Sequence, residues 1–346
     1  MERISWKETA EFLNPLENMK PCTEEIEVRV DPLTGATCRI VQGRGLDSPL
    51  MKDYPGESEV FMEEYSSAPG FCPFCGERAA ERTPGFIGLG VERFVHGTSV
   101  LFPNLRPYGE ISVVNVVSTG KHFIPVDRFD PLDLRNSMLN IRDLALALGE
   151  ARPDLNYLQF GMNYLPPAGS SMAHPHMQGL ATSQPLDRME KGLKGAKRHM
   201  NEAGTCYWSG VLEEHDRMIY AGESWALYAP YAPGGFNEIH AVSLDPAPFR
   251  LSSDLDLEEL GELMALIMRY YGSIHKNALN MGLFALQEGK EHFRTHLRFV
   301  TRMPLYPYYR ADDTFLEKMF HAPILDRAPE IVASEMREFL DREKGE

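Results

Sequence analysis

The run Gly169-Ser170-Ser171-Met172-Ala173-His174-Pro175-His176-Met177-Gln178 sets two imidazoles and a neutral amide at alternate positions. In an extended segment such positions share one face, so His174, His176 and Gln178 are expected side by side next to a donor-rich Gly-Ser-Ser loop. Pro175 has no backbone N–H and predicts a place at a sheet edge or rim. An imidazole serves as a nucleophile or as a metal ligand, according to which ring nitrogen its neighbours leave free. By itself a His-x-His pair fits a metal site or a plain polar strand better than catalysis.

A second constellation narrows the choice. Cys72-Pro73-Phe74-Cys75-Gly76 is a knuckle whose two thiolates can reach one tetrahedral zinc, with a glycine to relieve the turn. Two further ligands are needed. His122, after an apolar strand, and His174 are the candidates, with His96, His240 and His292 as alternatives; the bland reading is two buried cysteines without metal. If His174 is taken by the cation, His176 is the imidazole left to react, and attack on phosphorus is its expected chemistry. Ser171 and Gln178 would then hydrogen-bond the phosphoryl oxygens as charge shifts. Gln178 cannot shuttle a proton, which suits group transfer better than hydrolysis.

These residues need a frame. Ile26–Val30 and Cys38–Val41, joined by Asp31-Pro32-Leu33-Thr34-Gly35, predict a hairpin. Residues 43–70 read as an irregular loop, 110–117 as a buried strand, and 157–160 as a short strand leading into the histidine segment. Helical spacing appears over Leu132–Leu148, 186–202 (polar and basic, a solvated face), Leu257–Tyr271 and Ile331–Phe339. The second half replays the first with a period near 125 residues: Gly235–Ile239 echoes Pro107–Ile111, and Arg294-Thr295-His296-Leu297-Arg298 echoes His174–Gln178. A duplication follows, the second copy having lost its histidine pair.

Asn163, Gly169, Ser171, His174, Pro175, His176 and Gln178 together resemble the active-site segment of the galactose-1-phosphate uridylyltransferases, the transferase branch of the histidine-triad superfamily. The Asp31–Gly35 run resembles that family's N-terminal signature, and Phe102-Pro103-Asn104 its nucleoside-cupping stretch. The resemblance implies an α+β fold, a duplicated histidine-triad-like architecture of antiparallel sheet halves packed with helices. Residues 1–185 would form the half with zinc and the catalytic segment, and 186–346 a degenerate half. It further implies Zn2+ on Cys72, Cys75, His122 and His174, and ligand contacts from Arg44, Asn104, Asn163, Gly169 and Glu317. The implied reaction is exchange of UMP between a UDP-hexose and a hexose 1-phosphate through nucleotidyl-His176, in a homodimer. An ADP-sugar or dinucleoside-polyphosphate phosphorylase or transferase with another phosphate acceptor is the alternative. The departures fall on the acceptor side. Asp47 stands where a second basic residue is usual, Arg294 replaces the first histidine of a later His-x-His, and Lys318–Pro323 replaces a Gly-rich stretch.

Composition bounds the rest. With 346 residues, 43% hydrophobic and 25% charged, the chain can bury a large core. A formal net charge of −15 disfavours a nucleic-acid partner. Five cysteines read as reduced thiols plus a zinc half-site rather than a disulfide framework. No segment reads as a signal core or membrane span, so a cytoplasmic protein is expected. The glycines of Gly85–Gly90 lack a βαβ frame and read as a loop, and Tyr306, Tyr308 and Tyr309 read as packing.

Overall fold

A computed structural model describes residues 3–42, 70, 72–305 and 312–345. Arg44, Asp47, the loop expected over most of 43–70 and the tyrosines 306, 308 and 309 lie outside the described residues. Strands β1 (Ser5–Asn14), β2 (Lys20–Val30) and β3 (Thr37–Ile40) form a small sheet. The β2–β3 turn is the predicted one: Asp31 Oδ1 accepts from Leu33 N at 2.8 Å, and Gly35 takes a φ of +73°. A two-residue strand, Ile324–Leu325, adds to β3 in parallel and stitches the end of the chain to its beginning.

The main sheet has ten strands. In chain order they are β4 (Phe94–His96), β5 (Ser99–Pro103), β6 (Ile111–Val116), β7 (Tyr157–Tyr164), β8 (His176–Thr182), β9 (Met218–Ala221), β10 (Trp225–Tyr228), β11 (Phe236–Ser243), β12 (Leu279–Leu286) and β13 (His296–Thr301). Their spatial order, β4-β5-β6-β8-β7-β12-β13-β11-β10-β9, reads the same from both ends once β4–β8 are matched with β9–β13. The halves meet at the antiparallel β7–β12 pair, where Gly161 lies opposite Gly282. The repeat expected from sequence is therefore a pseudo-twofold about these two glycines, with one continuous sheet running through both copies.

Each copy places a long helix after its third strand. Pro131–Ala151 begins with Asp130 accepting from Leu132 N and proline in the first turn. Asp254–Ser273 begins with a capping box between Ser253 and Asp256. Both pack on one face of the sheet and on each other. Gly261 permits the close crossing, since a Cβ there would stand 2.6 Å from the Pro131 carbonyl. The core between these helices and the sheet includes Leu134, Met138, Ile141, Leu260, Met264 and Ile267, all essentially inaccessible. Each such side chain contributes about 1.5–3 kcal/mol by leaving water.

The opposite face of the sheet carries the site. Along β8, Met177 and Ala181 enter the core while His176, Gln178 and Leu180 face out. β7 is eight residues long rather than four, and the excess carries Gly161 and Asn163 onto that face. β8 lies inside the sheet, between β6 and β7, and not at an edge. Pro175 is tolerated because it precedes the first paired residue, and its carbonyl still accepts from Val117 N at 3.1 Å. Helix Asp187–Ala203 is the predicted basic one, yet it buries Met189, Leu193 and Ala196 against a second cluster that includes Trp208. Among the described residues, no helix is long and apolar enough to cross a membrane.

Candidate active site

The knuckle packs under the end of β6. Gly76, at a φ of +55°, donates its N–H to Thr119 O at 2.8 Å, and Arg78 Nε donates to Cys72 O at 2.8 Å. His122 and His174 come to it from either side. Cys75 Sγ is 3.3 Å from His122 Nδ1 and 3.4 Å from His174 Nδ1, while Cys72 Sγ is 3.7 Å from His174 Nδ1. The four ligand atoms lie within 4.8 Å of one another. A tetrahedral ion at ordinary Zn–S and Zn–N lengths would set sulfur and nitrogen about 3.5 Å apart, so the donor set fits a zinc-like cation.

The protonation states agree with that fit. His174 Nε2–H donates to the Ser118 carbonyl at 2.8 Å, which fixes the tautomer and turns the Nδ1 lone pair toward the thiols. Burial holds the His174 ring neutral by lowering its pKa to about 4. Burial, helped by the Arg78 charge, also lowers the pKa of His122. Burial raises the Cys72 thiol instead, a bias that a bound cation reverses. Two of the three alternative ligands are engaged elsewhere: His96 pairs with Asp143 at 2.7 Å and His240 with Glu238 at 2.6 Å.

His174 lies in a bend before β8, so its ring turns into this cluster rather than onto the strand face. The alternation expected from sequence starts one step later, at His176. His176 Nδ1–H donates to the His174 carbonyl at 2.8 Å, leaving the Nε2 lone pair free. Burial lowers its pKa, so the ring is a neutral nucleophile. Phe74, between the two cysteines, packs against His176 with ring centroids 5.3 Å apart, and against His174 at 5.8 Å. It thereby links the knuckle to the His176 ring. Sequence reasoning gave Phe74 no role, although its position inside Cys-x-x-Cys was the available signal.

Gln178 follows on the same face, half-buried, and no described residue hydrogen-bonds its amide. Ser171 is exposed in the loop that precedes His174. Gly169 takes a φ of +88° in that loop, closed by its N–H to Pro166 O at 2.9 Å. Asn163 Oδ1 accepts from Asn280 Nδ2 at 2.8 Å across the β7–β12 seam, and Asn280 Oδ1 accepts from Arg302 at 2.9 Å. Arg302 Nε in turn donates to Asp312 at 2.8 Å, tying the C-terminal segment to the site face. Glu317 follows in a short helix, Phe315–Phe320, and burial raises its pKa, with Asp313 adding to the effect. Asn104 Oδ1 caps Arg106 N at 2.9 Å, while its buried Nδ2 has no partner among the described residues. Arg44 lies outside the described residues.

Against known proteins, no family model matches the chain. An uncharacterized protein from Archaeoglobus fulgidus is 33% identical over 320 residues, spanning 90% of this chain and 92% of its own. The chain belongs to the same family as that protein. Its fold is the one found in the galactose-1-phosphate uridylyltransferase family, as the sequence resemblance implied. An Arabidopsis thaliana ADP-glucose phosphorylase solved with ADP-glucose superposes with a TM-score of 0.68 at 20% identity, covering 90% of this chain and 98% of that one. A GALT-like protein from the same plant gives 0.67 at 20%, with the same coverage. A uridylyltransferase gives 0.65 at 17%, covering 91% and 98%. The uridylyltransferase fold thus covers both halves of the sheet.

Proposed function

We propose that the protein is a nucleotidyltransferase that moves a nucleoside monophosphate from a nucleotide sugar to a phosphate-bearing acceptor through nucleotidyl-His176. The observation that carries this is the hydrogen bond from His176 Nδ1 to the His174 carbonyl, which leaves Nε2 unprotonated beside the unengaged amide of Gln178. Nε2 attacks the α-phosphorus, the P–O bond to the leaving phosphate breaks, and Nδ1 keeps its proton throughout. Attack by the acceptor phosphate returns the N–P electron pair to Nε2 and regenerates the starting ring, so no proton transfer to the imidazole is needed. Gln178 and Ser171 donate to the phosphoryl oxygens. Asn163, Gly169, Asn104, Arg44 and Glu317 bind the substrates.

Cys72, Cys75, His122 and His174 hold Zn2+ in this reading. The ion supplies structural charge neutralisation that fixes His174, and His176 is held by the His174 carbonyl. UDP-glucose with galactose 1-phosphate is the leading substrate pair, in a homodimer. ADP-glucose with inorganic phosphate is the second reading, and it draws on the fold shared with an ADP-glucose phosphorylase. Incubation with UDP-glucose and, separately, ADP-glucose, followed by intact-protein and peptide mass spectrometry, distinguishes them. A uridylyl or adenylyl group on the His176 peptide identifies the donor. Absence of any adduct with either sugar nucleotide overturns the mechanism.

A further inference from the structure

A cavity of about 350 Å³ lies over the Gly161 floor, beside Gln178, walled by Gln159, Phe284 and Arg188. Arg188 is the single charged residue among its lining residues, in a chain of net charge −15. Two groups on this wall have unused donors. Gln159 Oε1 accepts from Leu186 N at 3.1 Å, which orients the amide and leaves Nε2 buried with no partner among the described residues. Arg188, in the first turn of helix Asp187–Ala203, makes no hydrogen bond or ion pair with a described residue.

A second guanidinium converges on the first. A Cβ placed on Gly234 would stand 3.0 Å from a terminal nitrogen of Arg188 and 3.0 Å from one of Arg298. Arg298 occupies the second-half position equivalent to Gln178, opposite Gly282 as Gln178 is opposite Gly161. The buried carboxylate nearby, Glu238, is already committed: it accepts from Arg298 Nε at 2.6 Å, from His240 Nε2 at 2.6 Å and from Gly234 N. Asp187 pairs with Lys191 at 2.8 Å. Arg298 is thus paired with Glu238, while Arg188 has no carboxylate partner among the described residues. Glu317, one of the expected ligand contacts, lies within electrostatic reach of Arg188.

We infer that this cavity is a phosphate subsite, in which Arg188 and the Gln159 amide hold the phosphate group of the acceptor for attack on the nucleotidyl group. The inference rests on the transferase reading above and adds the residues that select a phosphate acceptor. The attacking phosphate oxygen forms the new P–O bond as the His176 N–P bond breaks. Inorganic phosphate would yield a nucleoside diphosphate, and a sugar 1-phosphate a nucleotide sugar.

The test uses nucleotidyl-enzyme loaded with excess donor, freed of donor, then discharged in separate arms with inorganic phosphate and with galactose 1-phosphate. Arg188→Gln should raise the acceptor KM about tenfold or more, the scale of one lost charge-assisted hydrogen bond. Gly234→Ala, which crowds both guanidiniums, should raise it less. The arm that responds identifies the acceptor, and an unchanged KM in both arms overturns the subsite. Calorimetric titration with inorganic phosphate reads the same subsite without chemistry. Equal affinity of wild type and Arg188→Gln overturns it even if no adduct ever forms, whereas weakened binding by the variant with no adduct in wild type leaves the subsite standing and removes only the transfer mechanism.

Discussion

The two halves of the sheet present the same ring on the same backbone and surround it differently. His296 Nδ1–H donates to the Arg294 carbonyl at 2.9 Å, as His176 does to that of His174 at 2.8 Å. Yet His296 lies flat on Phe284, with centroids 4.9 Å apart and planes within 5°, and close to Trp208 and Phe293. Burial there lowers its pKa to about 3. Its strand neighbour Arg298 is tied to Glu238, whereas Gln178 remains unengaged. The same tautomer control is thus set in two different surroundings. What distinguishes the first half is a tilted contact with Phe74 in place of that flat stack, beside an amide that no described residue hydrogen-bonds.

The largest expected contrast is chemical. His176→Ala should abolish the covalent adduct while leaving the fold intact. His296→Ala should leave the adduct in place and instead cost about 3 kcal/mol of stability through the cavity among its aromatic neighbours. Mass spectrometry and denaturant unfolding of both variants decide this, and adduct loss in His296→Ala would break the comparison. Next, Gln178→Ala should slow transfer by about a hundredfold, the scale for one donor to a developing oxyanion. A normal single-turnover rate would place that role elsewhere.

Cys72→Ser should lower bound metal and melting temperature together, because His174 would lose the cation that organises its bend. Metal analysis beside thermal unfolding checks this, with no change in either arguing for a metal-free knuckle. The smallest effect is acid sensitivity. An unfolded histidine takes up a proton below about pH 6.5, but folded His296 does so only near 3. Between these values the unfolded state binds more protons, so stability falls as pH falls. In His296→Ala the loss of stability between pH 7 and pH 4.5 should be shallower than in wild type.

Much of the site was legible because its signals are local. Cys-x-x-Cys, the alternation from His176 to Gln178, and the Asp31–Gly35 turn each involve residues a few positions apart, whose geometry backbone sterics impose. The repeat was legible too, from the echo of Arg294–Arg298 and the paired strand–helix patterns. The length of β7 was not, since Gly161 and Asn163 have weak strand propensity and are paired only because β12 lies alongside. Nor did the sequence decide between edge and rim for Pro175, which lies at the rim of a strand interior to the sheet.

The amino-acid sequence by itself determined the candidate ring, its metal-fitting neighbours and the doubled architecture, because these depend on residue type and short spacing. Only the tertiary structure decided that His174 turns away from the strand face, that His296 is smothered by aromatics, and that Arg188 meets Arg298 at Gly234. Those outcomes depend on which distant segments share a volume and on whether a charge finds a partner there, and neither is encoded at any one position.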